Sequence, residues 1–291
     1  MICLFMTAKP TTLITSRREK QRSMNILRAE KMYKARLDMS RELPLELPAL
    51  PKLNVGCSGW FYWDWKGLFY PETLKTSEWF AYYMNCFSTV ELNAPFYGWP
   101  TVATVKSWRR QAESVPDFVY AIKVNELITH IHKWVDVAKL ISSFGLIADL
   151  LGPKFGCFLY QLPPSYNYTE QRLEAILSQL DLTRRNVVEF RHPSWWNDRV
   201  YTAFESVGII FCACSGPKLP DDMVKTAQEV YVRFHGTETW YRHNYSNREL
   251  EAWAQKIISS NPIRTWAYFN NDYDGYAIEN AKRLKQMLTG S

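Results

Sequence analysis

The sequence predicts an α/β protein with the architecture of a (β/α)8 TIM barrel, preceded by an N-terminal extension. Eight short, mostly apolar runs alternate with segments that can form helices, and this alternation is typical of parallel strands. About 240 residues follow Lys52, which is close to the usual size of such a barrel. We therefore expect residues 53–291 to form one TIM-barrel domain.

Seven of the eight predicted strands end in polar residues that share one side-chain parity. The strands are 54–59, 88–93, 118–125, 155–162, 186–192, 208–214, 229–236 and 264–271. Alternate side chains of a strand point to one face. On one face of these strands lie Glu91, Asn93, Lys123, Asn125, Gln161, Glu189, Arg191, Arg233, His235 and Asn270. A parallel barrel would gather these side chains at the carboxyl-terminal mouth.

Seven helices are predicted between and after these strands from capping residues and apolar spacing. They start near Thr76, Thr101, Asp136, Thr169, Asn197, Ser246 and Asp274. Ser246 and Glu249 have the spacing of a capping box. Residues 215–228 contain two prolines, so we predict a loop or a short helix after the sixth strand.

The positive charge of the chain belongs to residues 1–52, which we predict to be a basic, disordered extension. They hold 11 of the 35 Lys and Arg but only 5 of the 29 Asp and Glu, so the rest of the chain has no net charge. A basic arm and an organelle-targeting peptide are alternatives, because the first 18 residues contain no acidic residue. We expect the extension to be removable without unfolding the barrel.

Composition and motifs exclude several classes of protein. No apolar run is long enough to span a bilayer, so we expect a soluble, cytoplasmic protein with no membrane partner. The six cysteines lack C-x-x-C spacing and are expected to pack as apolar residues, and we predict neither a metal nor a cofactor. Walker A, G-x-G-x-x-G, G-x-S-x-G and H-E-x-x-H motifs are missing from the sequence. The sequence leaves the oligomeric state open.

A series of motifs resembles the domain of unknown function 72 (YecE-like) family. In chain order they are GCSGW at 56, LFYP at 68, STVELNAPFY at 88, VPDFVYAIKV at 115, ITH at 128, QLPPS at 161, VVEFRHPSWW at 187, YVRFHG at 231, YSNREL at 245 and YFNND at 268. The resemblance runs from about residue 53 to residue 288. It implies a TIM barrel and no defined biochemical activity.

Charged residues at the strand ends are the candidate catalytic groups. Glu91 and Glu189 are the predicted acid/base pair, and His235 is expected to transfer a proton near neutral pH. Lys123, Arg191 and Arg233 would neutralise an anionic substrate. The same residues could instead neutralise one another as a buried ion-pair network, which would stabilise the barrel without catalysing a reaction.

Amides and aromatic rings complete the predicted binding site. The expected ligand-binding residues beside the three cations are Trp60, Asn93, Tyr97, Gln161, Trp195, Asn270 and Asn271. Rings around a polar pit commonly stack on a sugar or a base, although rings of this kind also pack the rims of barrels.

The predicted function is metal-independent acid/base catalysis on a compact, anionic, sugar-like or nucleotide-like ligand. The enzyme class is left among hydrolase, lyase and isomerase. Two alternatives are a non-catalytic ligand-binding or sensor barrel and a nucleic-acid-processing protein that takes one nucleotide into the pocket. Nucleic acid is the less favoured partner, because the barrel has no basic surface excess.

Overall fold

The computed structural model describes residues 16–39 and 50–290. Eight parallel strands form the inner wall of a nearly closed barrel, so the predicted fold class is confirmed. They are β1 (Leu53–Cys57), β2 (Thr89–Leu92), β3 (Val119–Lys123), β4 (Phe155–Gln161), β5 (Asn186–Glu189), β6 (Ile210–Ser215), β7 (Glu229–Phe234) and β8 (Arg264–Phe269). Each strand overlaps its predicted run.

The seam between β1 and β2 is closed by a side chain. The strand order is β1-β8-β7-β6-β5-β4-β3-β2, without a ladder between its first and last members. The Tyr83 hydroxyl accepts from the Cys57 amide at 2.9 Å and donates to the Thr89 carbonyl at 3.0 Å. A Cβ on Gly56 would lie 2.4 Å from the same carbonyl, so the close approach of these strands requires glycine.

The helices cover the outside of the strands. Along the described chain they are α1 (Arg17–Asp38), α2 (Trp79–Cys86), α3 (Ala94–Tyr97), α4 (Val102–Gln111), α5 (Ala138–Leu151), α6 (Glu170–Gln179), α7 (Asp198–Val207), α8 (Asn247–Ser259) and α9 (Tyr276–Thr289). All seven predicted helices are present, and the Ser246–Glu249 capping box is formed. Residues 216–228 form no helix. No helix in the described ranges is both long and apolar enough to cross a membrane.

The alternation of side chains along the strands is as predicted. Apolar residues at the intervening positions, such as Val90, Ile122 and Val188, belong to the core between strands and helices. The other face fills the barrel interior. Its apolar lower part contains Val119, Ala121, Cys157, Leu159, Val187, Ile210, Cys212, Cys214, Tyr231, Trp266 and Tyr268. This filling leaves room for a site only at the carboxyl-terminal mouth.

Helix α1 corrects the prediction that residues 1–52 are disordered. Arg17–Asp38 form a helix that packs on α5, where the Ser143 hydroxyl donates to the Ala29 carbonyl at 2.6 Å and Arg36 pairs with Asp149 at 2.9 Å. The buried residues of α1 are Asn25, Ala29 and Met32. Only Met32 is a large apolar residue, so the apolar pattern of this helix in the sequence is weak. Residues 1–15 and 40–49 of the predicted extension lie outside the described residues.

We predict that α1 contributes to the stability of the barrel. A chain starting at Leu50 loses the burial of Met32 and leaves the nearly buried Glu126 without Arg22, so its free energy of unfolding should fall by about 2 kcal/mol or more. Thermal denaturation of this chain measures the change. A chain starting at Ser16 keeps the helix cap and is the control. Equal melting temperatures for the two chains would contradict the prediction.

Candidate functional site

Arg233 of β7 joins two carboxylates in the upper barrel interior. Its guanidinium donates to Glu91 of β2 at 2.6 Å and to Glu189 of β5 at 2.5 Å. All three side chains are completely buried. Glu91 also accepts from the Ser58 hydroxyl at 2.8 Å and the Tyr231 hydroxyl at 2.6 Å. The two glutamates that the sequence placed across the mouth are therefore linked by one arginine.

Arg191 and His235 extend this network. Arg191 donates through Nε to Glu189, and its terminal nitrogen lies 2.9 Å from Nε2 of His235. Nε2 of His235 also lies 3.2 Å from Oε1 of Glu189, which can only accept a hydrogen bond. The amide nitrogen of Asn270 lies 3.3 Å from Nδ1 of His235. We call Glu91, Glu189, Arg191, Arg233 and His235 the buried network.

The charges in the buried network balance one another. Burial opposes ionisation of Glu189, but Arg191 and Arg233 hold its pKa well below the usual value. Burial, with Arg191 and Arg233 next in importance, lowers the pKa of His235 well below its usual value. This shift favours the neutral form of His235 at physiological pH, whereas the sequence prediction has His235 exchange a proton there. Two carboxylates and two guanidinium groups remain, and their charges sum to zero.

Lys123, at the end of β3, lies above this network. Its Nζ is 4.2 Å from the centre of the Phe96 ring, and we find no hydrogen-bond or ion-pair partner for it among the described residues. Burial, followed in size by the repulsion from Arg233, lowers the pKa of Lys123 to about 7. The amine is therefore substantially neutral at physiological pH.

A cavity of about 530 Å³ opens at the mouth above Lys123. Its lining comes from the ends of β1, β2, β3, β7 and β8 and the loops after them, so it covers one side of the mouth. The lining residues are Tyr62, Asp64, Asn93, Tyr97, Lys123, Trp240, Tyr241, Arg242, Asn270, Asp272 and Tyr273. The size suits a ligand of the dimensions of a sugar phosphate.

Asp272 is the main cavity residue missing from the predicted site. Burial raises the pKa of Asp272 to about 7, although the nearby Tyr62 hydroxyl opposes the shift. Its Oδ1 is buried without a hydrogen-bond partner in the described part of the chain. Asp272 lies in the loop after β8, three residues beyond Phe269, so strand parity could not find it. The signal available in the sequence was the position of this carboxylate, directly after the two amides Asn270 and Asn271 at the end of the predicted strand.

Four of the predicted site residues line the cavity, namely Asn93, Tyr97, Lys123 and Asn270. Glu91, Glu189, Arg191, Arg233 and His235 lie in the buried network beneath it. These five side chains come together beneath the cavity, and none of them is among its lining residues.

The remaining predicted ligand-binding residues lie elsewhere. Trp195 is fully buried, stacks on Phe190 at 4.1 Å and donates to the Tyr166 carbonyl, so it belongs to the outer core. Asn271 is also buried and donates to the His243 carbonyl and to Asn280. Three further residues, Trp60, Gln161 and Arg191, are absent from the cavity lining. The structure therefore does not place these side chains where a ligand in this cavity would meet them.

Glu189, Cys214 and His235 bring potential metal-ligand atoms within 4.8 Å of one another. The fit to a cation is poor, because Arg191 and Arg233 already donate to the Glu189 carboxylate. A divalent ion would have to approach two guanidinium groups in a buried environment. We therefore propose no metal site from these residues.

These features define a TIM-barrel protein with a polar cavity at the carboxyl ends of its strands. The chain belongs to the family described as "Protein of unknown function DUF72", whose sequence model matches residues 54–291. The predicted family resemblance is thereby confirmed.

Similar proteins are found among curated sequences and solved structures. The chain is 23% identical to the UPF0759 protein YunF of Bacillus subtilis, covering 81% of this chain and 94% of that protein. It is 26% identical to the UPF0759 protein YecE of Escherichia coli K12, covering 70% and 80%. The crystal structure of a DUF72 family protein from Thermotoga maritima is 29% identical, covers 82% of this chain and 100% of that chain, and has a TM-score of 0.73.

We predict that Glu189→Gln lowers the stability of the protein. The substitution removes one of the two carboxylates that compensate Arg191 and Arg233, which should cost on the order of 3 to 5 kcal/mol in free energy of unfolding. Because the folded-state pKa of Glu189 is depressed, its stabilisation is present above the unfolded pKa of about 4.3 and is lost as the pH falls below it. Chemical denaturation at pH 7 measures the loss.

Glu170→Gln provides the control for this variant. Glu170 pairs with Arg199 on the surface, so its replacement should change the stability little. An unchanged stability of Glu189→Gln would contradict the structural role of Glu189.

Lys123 and Asp272 should show opposite pH dependence. The pKa of Lys123 is lowered to about 7 on folding, so Lys123→Met should stabilise the protein at pH 7, and this gain should fade as the pH rises towards about 10.4. The pKa of Asp272 is raised to about 7, so Asp272→Asn should stabilise it at pH 8 but have little effect below about pH 4. Melting temperatures across this pH range test both, and a stability loss at pH 8 would contradict either assignment.

Proposed function

We propose that this protein is an enzyme that performs metal-independent acid/base catalysis on a compact, anionic ligand bound in the mouth cavity. One observation carries the proposal: Lys123 and Asp272 line the same cavity, and the pKa of each is shifted to about 7. A general acid or base works best when its pKa is near the operating pH. Two such groups in one cavity favour catalysis over simple binding.

The charge distribution supports an anionic ligand. The buried network has no net charge, so the protonated form of Lys123 lacks a counter-ion among the described residues. Arg242 adds a second cation to a cavity lining that also contains the carboxyl groups of Asp64 and Asp272. An anionic group of a ligand would stabilise the ammonium form of Lys123.

The aromatic lining supports a ring or a carbon chain with hydroxyl groups. Tyr62, Tyr97, Trp240, Tyr241 and Tyr273 contribute to the cavity, and Tyr97 is 64% exposed. Their rings offer stacking surfaces, while the amides of Asn93 and Asn270 can orient hydroxyl or carbonyl groups. A sugar phosphate or a nucleotide-like compound has both kinds of group.

The proposal changes the roles predicted for Glu91, Glu189 and His235. None of them lines the cavity, and all three are completely buried. We assign them to positioning and electrostatics, since the two arginines that they hold lower the pKa of Lys123. The catalytic groups of the proposal are Lys123 and Asp272.

A panel of sugar phosphates and nucleoside monophosphates tests this function. Turnover is followed by mass spectrometry and ³¹P NMR, and binding by the shift in melting temperature. Asp272→Asn and Lys123→Met should each lower turnover by ~100-fold or more, as expected when an acid or base is lost. Asp221→Asn and Lys282→Met make the same changes in surface ion pairs and should retain activity.

Two results would contradict the proposal. One is turnover that survives both cavity substitutions, which would place the chemistry elsewhere. The other is binding of panel members without turnover, which would favour the ligand-binding or sensor barrel.

A further inference from the structure

Lys123, which is partly buried, differs from the buried Lys154 of this barrel. Lys154 is 6% exposed, and its Nζ donates to the carbonyls of Val115 and Pro116 at 2.5 and 2.8 Å. Those oxygens hold the ammonium group in a fixed position. Lys123 has a ring face on one side and a cavity on the other, with no such acceptor in the described part of the chain. Its amine is held in place but not saturated by hydrogen bonds.

We propose that Lys123 is a nucleophile that forms an imine with a carbonyl group of the substrate. This proposal rests on the proposed function and deepens it, since it names the substrate class as a small aldehyde or ketone carrying an anionic group. The amine lies at the end of β3 and lines the cavity, where a ligand carbonyl can reach it.

The surroundings of Lys123 favour the nucleophilic, neutral amine. Burial and the cations of the network beneath it lower the pKa of Lys123 to about 7. Glu91 and Glu189 act in the opposite direction, but both are already bonded to Arg233. His130, whose ring packs against Phe96, has a pKa lowered to about 4 and so adds no charge at neutral pH. A desolvated lysine beside other cations is a recognised form of activated nucleophile.

The reaction balances with the groups in the cavity. The nitrogen lone pair attacks the carbonyl carbon, and a proton passes from nitrogen to oxygen by way of Asp272 to give a carbinolamine. Protonated Asp272 then gives its proton to the hydroxyl group, the C–O bond breaks, and water leaves. The nitrogen lone pair forms the C=N bond, so the products are an iminium ion, the Asp272 carboxylate and water. No oxidant, reductant or other reagent is consumed.

The substrate class follows from the cavity. About 530 Å³ accommodates a short sugar phosphate or a keto acid in its open-chain form. Arg242 supplies a cation for the anionic end, and Asn93 and Asn270 supply amides for hydroxyl groups. The iminium ion withdraws electrons from the neighbouring carbon, so bond cleavage or proton loss at that carbon is the chemistry it would promote.

Reductive trapping tests imine formation on the wild-type, full-length protein. The protein is incubated at pH 7 with sodium cyanoborohydride and one of three probes, formaldehyde, glycolaldehyde or dihydroxyacetone phosphate, and labelled lysines are located by peptide mass spectrometry. Formaldehyde needs no recognition, so it reports the reactivity of the amine itself. We expect Lys123 to be labelled faster than exposed lysines such as Lys139 and Lys282, on the order of 10-fold or more.

The variants and the other probes complete the test. Lys123→Arg keeps the positive charge but cannot form an imine, so its fast label should disappear while labelling of Lys139 is unchanged. Dihydroxyacetone phosphate should label Lys123 more selectively than formaldehyde does, because the cavity recognises its phosphate. Labelling of Lys123 by formaldehyde at or below the rate of the exposed lysines would overturn the proposal.

Failure of this proposal can be distinguished from failure of the proposed function. Labelling of Lys123 no faster than that of Lys139, in a protein whose turnover falls in both Lys123→Met and Asp272→Asn, would overturn the imine and leave acid/base catalysis standing. Fast labelling of Lys123 in a protein that turns over no panel compound would support the nucleophile and contradict the proposed function.

Discussion

The fork that Arg233 makes with Glu91 and Glu189 is the constraint on which the rest of the site depends. The three residues come from β7, β2 and β5, so one guanidinium ties together strands that are far apart around the barrel. Each charge is completely buried, and an unpaired charge in that position would cost several kcal/mol. The geometry of the fork therefore has to be maintained whenever the barrel is folded.

This constraint determines the character of Lys123. Glu91 and Glu189 both form ion pairs with Arg233. Arg191 also pairs with Glu189, and its positive charge makes the buried network neutral. Lys123 then lies over two guanidinium groups without an anion of its own, so its neutral form is favoured. A single free carboxylate at this depth would have made Lys123 an ordinary ion-paired lysine. The chemistry available in the cavity thus follows from how the charges below it are paired.

The sequence predicted the barrel and the convergence of its polar face because both follow from period-two alternation and the common direction of the strands. The sequence could not predict how deep in the barrel each of these side chains lies. Glu91 and Asn93 have the same parity, yet the first is buried in the network and the second lines the cavity. Parity also ends with the strand, so Asp272 in the following loop was missed, and Trp195 was expected at the ligand although it stacks in the outer core.

Helix α1 shows a different limit of the sequence analysis. Charge and composition dominated the interpretation of residues 1–52, whereas the spacing of Ser16 and Glu19, which form a capping box, marked a helix start. Asn25 of this helix bonds to the Tyr97 carbonyl and to the Trp99 amide, at 3.0 and 2.9 Å. The helix therefore also supports the end of α3, which carries Tyr97 into the cavity wall.

Lys123 and Asp272, the two cavity residues with strongly shifted pKa values, have nearly the same pKa. In water a lysine and an aspartate differ so much in pKa that the proton resides on the amine by a factor on the order of 10⁶. Here the pKa of each is about 7, so the carboxylic acid with the free amine and the carboxylate with the ammonium ion are close in free energy. A substrate that contacts both groups could then exchange a proton with either of them without a large energetic step. Keeping both groups in this state costs stability, and a fold tolerates that cost where the reactive groups serve a function.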